Sequence, residues 1–284
     1  MPKEINSSAI KALAIDLDGT ALLPDNSLGG RTLECLRRLK AGGMQIIFCT
    51  GRAIESSCRY YSAISAQGPM VFFNGAEIVD VPEIRLLNSS LVNPEAVDFG
   101  IDLGRSMGVH CQIYLPPKND PDNGTSSWEA LIVEKFGPEA EMYQKHTGIT
   151  PSVADLKTAM AGVKGCIKIM FIAEPSILDD VHQIMSNRFG GSIYIARSFP
   201  TFLDIMNAGV SKGEGLKTVM AYRGLKPQEV IAFGDEDNDL PMFGVAGFSA
   251  APASAKEKVR SAADFVFGSN AEEGLAVFLE ELFG

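Results

Sequence analysis

Two carboxylates stand two residues apart near the start of the chain. Asp16 and Asp18 directly follow the short apolar run 12–15, whose continuous hydrophobicity is typical of a buried strand. A carboxylate can act as a nucleophile toward phosphorus, and a second one nearby can protonate the leaving oxygen and later deprotonate water. Such a pair usually lies in a solvated turn when no other polar cluster accompanies it. Whether it is functional therefore depends on which other residues the fold places beside it.

Polar clusters also follow three other apolar runs. Because ligands bind outside the carboxyl ends of the strands in an open parallel sheet, we expect these clusters to share one crevice. A lysine joins them at a predicted helix start, where Ser211 and Glu214 have the spacing of a capping box. The residues are Thr50-Gly51-Arg52, Asn74-Gly75, Gly234-Asp235-Glu236-Asp237-Asn238-Asp239 and Lys212.

Four of these acids would concentrate negative charge in one place: Asp16, Asp18, Asp235 and Asp239. Crowded carboxylates either bind protons more tightly or hold a cation. Ligand sets made only of oxygen favour Mg²⁺, Mn²⁺ or Ca²⁺ over zinc. A phosphate group would be repelled without a cation, whereas a metal and a lysine together could balance it.

A calcium loop of the EF-hand type is excluded at Asp16. That loop requires Gly at its sixth position and Glu at its twelfth, where this chain has Ala21 and Ser27.

The elements that must position these clusters alternate between strand and helix patterns at both ends of the chain. This order predicts an α/β fold with a parallel sheet covered on both faces. After about Val81 the pattern changes to a mixture typical of a second, α+β domain. We therefore predict a core formed by residues 1–81 together with 198–284, with residues 82–197 inserted, and expect the parallel pattern to resume near 202–206.

Composition narrows the function classes. The chain of 284 residues has a net charge of −10, which argues against non-specific nucleic-acid binding because that depends on Lys and Arg neutralising phosphates. No apolar stretch reaches the roughly 18 residues needed to cross a membrane. The five cysteines form no CxxC pair, so neither a disulfide framework nor a zinc site is expected. We expect a cytoplasmic protein with no nucleic-acid or membrane partner, as a monomer or weak homo-oligomer.

Taken together, the motifs resemble those of the haloacid dehalogenase-like hydrolases of the Cof-type, subfamily IIB branch. Asp16 to Leu22 is similar to the first motif of that family, Thr50-Gly51-Arg52 to the second and Lys212-Gly213 to the third. The run from Gly234 to Asp239 is similar to the fourth motif, and Asn74-Gly75-Ala76 resembles the NGA turn of the family. The resemblance implies a Rossmann-like three-layer core with an inserted cap of the C2 type.

The resemblance also implies roles for individual residues. Catalysis would fall to Asp16 as nucleophile, Asp18 as general acid and base, Thr50 and Lys212. Mg²⁺ would be held by Asp16, the backbone carbonyl of Asp18, and Asp235, with Asp239 and Asn238 in support. Phosphate or substrate contacts are expected from Thr50, Gly51, Arg52, Asn74, Gly75, Lys212 and Asn238.

The expected function is Mg²⁺-dependent hydrolysis of phosphate monoesters of small metabolites, sugar phosphates first among them. One alternative is a hexose phosphomutase, for which Lys118, Lys164, Lys168 and Arg197 of the insertion could hold a bisphosphate. Another is a non-catalytic sugar-phosphate sensor, although a pure binder has no need of Asp18. One departure is the run Phe248 to Pro252, which stands where the family often has Met-Gly-Asn-Ala.

Overall fold

A computed structural model describes residues 5–117, 119–120, 125–126 and 130–284, so Lys118 lies outside the described residues. The strands are β1 Ala12–Ile15, β2 Gln45–Phe48, β3 Gly68–Phe72, β4 Glu77–Val81, β5 Arg85–Ser89, β6 His110–Leu115, β7 Asn119–Asp120, β8 Thr125–Ser126, β9 Ala130–Val133, β10 Ser152–Val153, β11 Lys168–Ile172, β12 Ile193–Phe199, β13 Phe202–Asn207, β14 Val230–Phe233, β15 Phe248–Pro252 and β16 Phe265–Phe267. The helices are α1 Gly30–Ala41, α2 Ile54–Ala63, α3 Pro94–Met107, α4 Pro138–Thr147, α5 Leu156–Ala159, α6 Pro175–Phe189, α7 Lys212–Arg223, α8 Leu240–Phe243, α9 Glu257–Ala262 and α10 Gly274–Phe283.

The chain divides into two compact units. The first unit runs to Arg52 and also contains Ser57–Asn88 and Ser211–Gly284, while the second contains Ala53–Ser56 and Ser89–Val210. The β4–β5 hairpin as far as Asn88 thus belongs to the first unit, although residues 82–88 were predicted to lie in the insertion.

A five-stranded sheet in the order β16-β15-β14-β1-β2 forms the centre of the first unit, and its strands pair in parallel. Ile15 stands opposite Phe233 of β14 on one side and Phe48 of β2 on the other. This register brings the carboxyl ends of three strands to the same level. The segments that begin at Asp16, Cys49 and Gly234 therefore leave the sheet at one edge.

Helices cover both faces of this sheet. On one face Ala12, Ala14 and Ala232 pack in a cluster with Leu216 and Val219 of α7. On the other face Phe233 meets Phe278 of α10 edge-on, with ring centroids 5.9 Å apart. Successive strand residues point to opposite faces, so a strand buried on both sides must be apolar throughout. The predicted α/β fold with a three-layer core is confirmed.

The third apolar run, 70–73, forms β3 as far as Phe72. As predicted, it runs parallel to the segment that ends β2, through a bridge between Cys49 and Val71. Its pairing with β4 is antiparallel, in a three-stranded sheet that also contains β5. That bridge is sufficient to bring the turn at Asn74 beside Thr50, because Asn74 N donates to Thr50 O at 2.9 Å.

The second unit has its own six-stranded sheet, in the order β10-β9-β6-β11-β13-β12. One face packs against α3 and α6, where Ile113, Ile169 and Phe171 meet Ile101 and Val181 in a separate hydrophobic core. This is the mixed α+β architecture expected for the insertion.

The prediction that residues 202–206 return to the parallel sheet was wrong. They form β13, which pairs antiparallel with both β11 and β12 in the second unit. β13 is buried along nearly its whole length and shows no alternation, and a short strand buried on both faces has the same pattern in a parallel and in an antiparallel sheet. Periodicity alone therefore could not assign β13 to either unit.

No helix among the described residues combines the length and the hydropathy needed to span a membrane.

Helix α7 begins at a side-chain cap that also fixes the position of Lys212. Ser211 is the N-cap, and its Oγ accepts from the backbone N of Glu214 at 3.1 Å. Gly75 packs closely against Ser211. Its φ is +100°, and a Cβ added to it would stand 2.3 Å from Ser211 O. The start of α7 is therefore locked against the turn that follows β3.

Ser211→Ala should lower the free energy of unfolding by about 1 kcal/mol, because one N-terminal backbone N–H of α7 loses its acceptor. The melting temperature should fall by roughly 2–4 °C, measured by differential scanning calorimetry. Ser211→Thr retains the hydroxyl and serves as the matched control. An alanine variant as stable as the wild type would show that the cap contributes nothing.

Candidate active site

A buried lysine joins two of the predicted acids. Lys212, the first residue of α7, is 2% exposed, and its Nζ donates to Oδ1 of Asp16 at 2.5 Å and to Oδ1 of Asp239 at 2.7 Å. Asp16 is held from the other side by its backbone N, which donates to Phe233 O at 3.0 Å. A residue after β1, a residue after β14 and the start of α7 thus meet at one charged centre.

The turn after β14 is organised by Asp239. Its Oδ2 accepts from the backbone N of Asp235 at 2.9 Å and of Glu236 at 3.0 Å. Asp239 thereby closes its own loop while its other oxygen faces Lys212. This arrangement frees Asp235 to point its carboxylate toward the end of β1, where Thr20 Oγ1 donates to Asp235 Oδ1 at 3.0 Å.

Gly19 is required at the turn after β1. Its φ is +76°, and a Cβ added there would lie 2.1 Å from Oδ2 of Asp235. Both the left-handed backbone and the close approach exclude a larger residue. The turn consequently places Asp16 and Asp235 side by side.

Backbone hydrogen bonds join the second cluster to the third. Thr50 N donates to Val71 O at 2.9 Å, and Phe73 N donates to Arg52 O at 3.1 Å. Asn74 adopts a left-handed conformation with φ of 55°, and its Oδ1 accepts from Asn238 Nδ2 at 2.9 Å. A Cβ on Gly51 would come within 3.1 Å of that same Asn74 oxygen. The loops after β2, β3 and β14 therefore form one continuous rim.

Asp16 and Asp18 differ sharply in their surroundings. The Asp16 side chain is 5% exposed, whereas that of Asp18 is 49% exposed. Arg52 Nε donates to Asp18 Oδ2 at 2.7 Å and its Nη2 to Oδ1 at 2.5 Å. One carboxylate is thus enclosed beside an ammonium group, and the other is accessible and held by a guanidinium.

Burial and crowding raise the pKa of Asp16 and of Asp235. Burial raises the pKa of Asp16 well above its usual range; Lys212 opposes this, while Asp239, Asp235 and Asp18 reinforce it. Burial, followed by Asp239, raises the pKa of Asp235 to about 7. Burial lowers the pKa of Lys212, but Asp16 and Asp239 outweigh it and raise that pKa overall. Lys212 is therefore charged, and its single positive charge is insufficient for three ionised acids.

The donor set fits a divalent cation. Oxygen atoms of Asp16, Asp235 and Asp239 all lie within 4.8 Å of one another. Oδ1 of Asn238, next to Asp239 in the chain, is buried and has no hydrogen-bond partner among the residues that the structure describes. Carboxylate and amide oxygens are ligands that suit Mg²⁺ and Ca²⁺. A cation here would balance the excess negative charge and explain the orphaned oxygen.

The structure brings together every residue predicted for the site. Asp16, Asp18, Thr50, Gly51, Arg52, Asn74, Gly75, Lys212, Asp235, Asn238 and Asp239 all lie in the first unit. Sequence reasoning did not assign a role to Thr20, which orients Asp235. The available signal was its position in the Asp16 to Leu22 motif. Thr20 comes directly after the turn at Gly19, so its hydroxyl lies near the predicted acids.

The run Phe248 to Pro252, which departs from the family pattern, forms strand β15 and pairs in parallel with β14. Ser249 engages the carboxylate of Asp264 through both its backbone N, at 2.9 Å, and its Oγ, at 3.1 Å. The residues that differ from the family pattern therefore form a strand whose polar side chain, Ser249, is bonded to Asp264. They do not replace any of the acids described above.

The raised pKa of Asp235 predicts that a divalent cation stabilises the protein in a pH-dependent manner. An unfolded Asp titrates near pH 3.9, whereas folded Asp235 keeps its proton up to about pH 7. Without metal, the contribution of this proton to the free energy of unfolding is therefore complete below about pH 4 and is lost as the pH rises to about 7. Above that range the ionised Asp235 should bind a cation without competition from protons. Adding MgCl₂ should therefore raise the melting temperature more at about pH 8 than at about pH 5.5.

NaCl at equal ionic strength controls for screening in this melting experiment. Asp235→Asn should lose the gain, whereas Asp237→Asn, at an exposed position paired with Lys258, should keep it. An equal gain at both pH values, or a full gain in Asp235→Asn, would contradict a cation site at Asp235.

Comparison with known proteins agrees with the geometry. A sequence model of the haloacid dehalogenase-like hydrolases matches residues 13–279. The Bacillus subtilis protein named 5-amino-6-(5-phospho-D-ribitylamino)uracil phosphatase YitU is 28% identical over 278 residues, covering 95% of this chain and 97% of that protein. The crystal structure of TM0651 from Thermotoga maritima superimposes with a TM-score of 0.83 at 27% identity, covering 96% of this chain and 97% of that one.

A haloacid dehalogenase-like hydrolase from Bacteroides thetaiotaomicron shares the fold, with a TM-score of 0.86 at 24% identity, over 96% of this chain and 100% of that one. The family match spans both ends of the first unit and the whole of the second. The chain belongs to the haloacid dehalogenase-like hydrolases, in the Cof-type branch, and is a phosphoric monoester hydrolase that acts on small phosphorylated metabolites.

Proposed function

We propose that the protein is a Mg²⁺-dependent phosphatase that works through an aspartyl-phosphate on Asp16. The observation that supports this most directly is the contrast between the two acids of the first motif. Asp16 is buried beside Lys212, which suits a fixed nucleophile, and Asp18 is half exposed, which suits exchange of protons with a leaving group and with water.

In the first half of the reaction Oδ2 of Asp16 attacks the phosphorus, since Oδ1 is the oxygen that accepts from Lys212. The bond from phosphorus to the ester oxygen breaks, and that oxygen takes a proton from Asp18. In the second half Asp18 removes a proton from water, the water oxygen attacks phosphorus, and the acyl phosphate bond breaks to release phosphate and regenerate Asp16.

The remaining groups position and neutralise the phosphoryl group. Lys212 would stabilise its developing charge, and Thr50, with the backbone at Gly51, would hold its oxygens. Asn74, Gly75 and Asn238 would complete the contacts on the rim. Mg²⁺ would be held by Asp16, the Asp18 carbonyl and Asp235, with support from Asp239 and Asn238, and would supply positive charge to the phosphate oxygens.

The substrate class we propose is the phosphate monoester of a polyhydroxylated carbon chain, with sugar phosphates first. The name of the relative YitU, which refers to a phosphorylated ribityl group, supports a polyol phosphate more broadly. The test panel should therefore contain both cyclic sugar phosphates and open-chain polyol phosphates.

The same panel addresses the alternative of a phosphomutase, because isomer interconversion without phosphate release would favour it. Two of the four basic residues considered for that activity have acidic partners in the structure. Lys168 is buried against Asp204 at 3.3 Å, and Arg197 Nη2 donates to Asp179 at 2.6 Å. These pairs make both cations less suited to hold a bisphosphate.

Asp16→Asn should reduce phosphate release by at least about a thousandfold on every active substrate, because the nucleophile is lost. Asp237→Asn changes an exposed acid of the neighbouring loop and should retain wild-type rates. Rapid acid quenching with radiolabelled substrate should trap a hydroxylamine-sensitive label on the wild type and none on Asp16→Asn. Normal turnover in Asp16→Asn, or a wild type that releases no phosphate across the panel with Mg²⁺, would refute the proposal.

A further inference from the structure

We propose that Arg52 is a positioning residue that fixes the carboxylate of Asp18, and that Asn26 and Tyr60 form the frame that holds Arg52. The inference rests on the proposed role of Asp18 as general acid and base. In this proposal the partner of Arg52 is Asp18. The contact between Arg52 and the substrate that the sequence suggests stays a separate prediction.

The contact between Arg52 and Asp18 is a bidentate ion pair. Nε and Nη2 of Arg52 reach the two different oxygens of the Asp18 carboxylate, at 2.7 and 2.5 Å. A planar guanidinium bonded in this manner defines the plane of the carboxylate as well as its distance. Each carboxylate oxygen accepts one of these bonds and keeps another lone pair with which to receive or return a proton.

Arg52 is itself held on several sides. The backbone N of Arg52 donates to Thr50 Oγ1 at 3.1 Å, and Nη2 also donates to Oδ1 of Asn26 at 3.0 Å. The guanidinium carbon lies 5.5 Å from the centre of the Tyr60 ring, within the range of a cation–π contact. The Arg52 side chain is only 10% exposed, so its orientation is set by the protein rather than by solvent.

The two residues that hold Arg52, Asn26 and Tyr60, are also bonded to each other. The hydroxyl of Tyr60, on α2, donates to the backbone O of Asn26 at 2.8 Å. Asn26 adopts a left-handed conformation with φ of 62°, in the turn that follows the first motif. Asn26 therefore contributes its side chain to the guanidinium and its carbonyl to the tyrosine.

This frame compensates for the exposure of Asp18. A side chain that is 49% exposed samples several rotamers unless a partner restricts it, and a general acid must stand within hydrogen-bond reach of the leaving oxygen. The Arg52 pair restricts the rotamer in advance, so the acid does not have to be ordered anew in each catalytic cycle.

The test uses two esters that differ in leaving group and little in shape, phenyl phosphate and 4-nitrophenyl phosphate, with the full-length protein and Mg²⁺. Phenolate is the poorer leaving group and depends more on protonation. The kcat/KM value reports the steps up to departure of that group. Arg52→Gln should lower kcat/KM for phenyl phosphate roughly 10- to 100-fold more than for 4-nitrophenyl phosphate, a fraction of the full effect of general acid catalysis.

Reference variants identify the cause of any loss. Asp18→Asn should show the same dependence on leaving group, and Arg52→Gln combined with Asp18→Asn should lose no more than Asp18→Asn alone. Arg52→Lys keeps the charge but not the fork, and should resemble Arg52→Gln. Arg31→Ala removes another paired arginine, one bonded to Glu280 through Nε and Nη2 on the surface, and should leave both rates unchanged.

An equal loss with both esters, or additive losses in the double variant, would overturn the role of Arg52. The proposed function would survive that result if Asp16→Asn remained inactive on both esters. A wild type that releases no phosphate from these two esters or from the substrate panel would overturn both. Melting temperatures of the Gln and Lys variants check folding, and a folded Lys variant alone is sufficient for the comparison.

Discussion

The ion pair network around Lys212 is the contact on which the rest of the site depends. Its Nζ lies between Asp16 and Asp239, which are brought together from opposite ends of the chain. A buried charge without partners is costly, so removing any of the three would leave an uncompensated group in the interior. The cap at Ser211 and the close approach of Gly75 both serve to place this lysine.

Two buried acids, Asp16 and Asp239, and the partly buried Asp235 outnumber the single ammonium group of Lys212. Burial first, and then repulsion between the acids, raises the pKa of Asp16 and Asp235, and the excess of acids leaves the cluster receptive to a divalent cation. Asp18, two residues along the chain from Asp16, escapes the crowding because the turn at Gly19 directs it outward. A step of two residues thus separates an enclosed carboxylate, the proposed nucleophile, from an accessible one, the proposed general acid and base.

The sequence predicted the site better than the fold around it. The polar residues Asp16, Thr50 and Asp235 come within two residues of the ends of buried strands, and the parallel register then brings them together. Strand β13 was misassigned because its apolar pattern fits either sheet. The frame of Asn26 and Tyr60 was not foreseen, since each is an ordinary residue for a turn or a helix. Only the three-dimensional path of the chain shows that both meet at Arg52.

The register of the central sheet has a consequence for the order in which the protein folds during synthesis. Strand β1 is made early, but its neighbour β14 is made only after the whole second unit, and Lys212 follows Asp16 by 196 residues. The second unit is nearly continuous in sequence and has its own hydrophobic core, so all of its strands are available before the first unit can close its sheet. The proposed catalytic centre is therefore among the last features of the two units to assemble, because it is incomplete until Lys212 and Asp239 have been added to the chain.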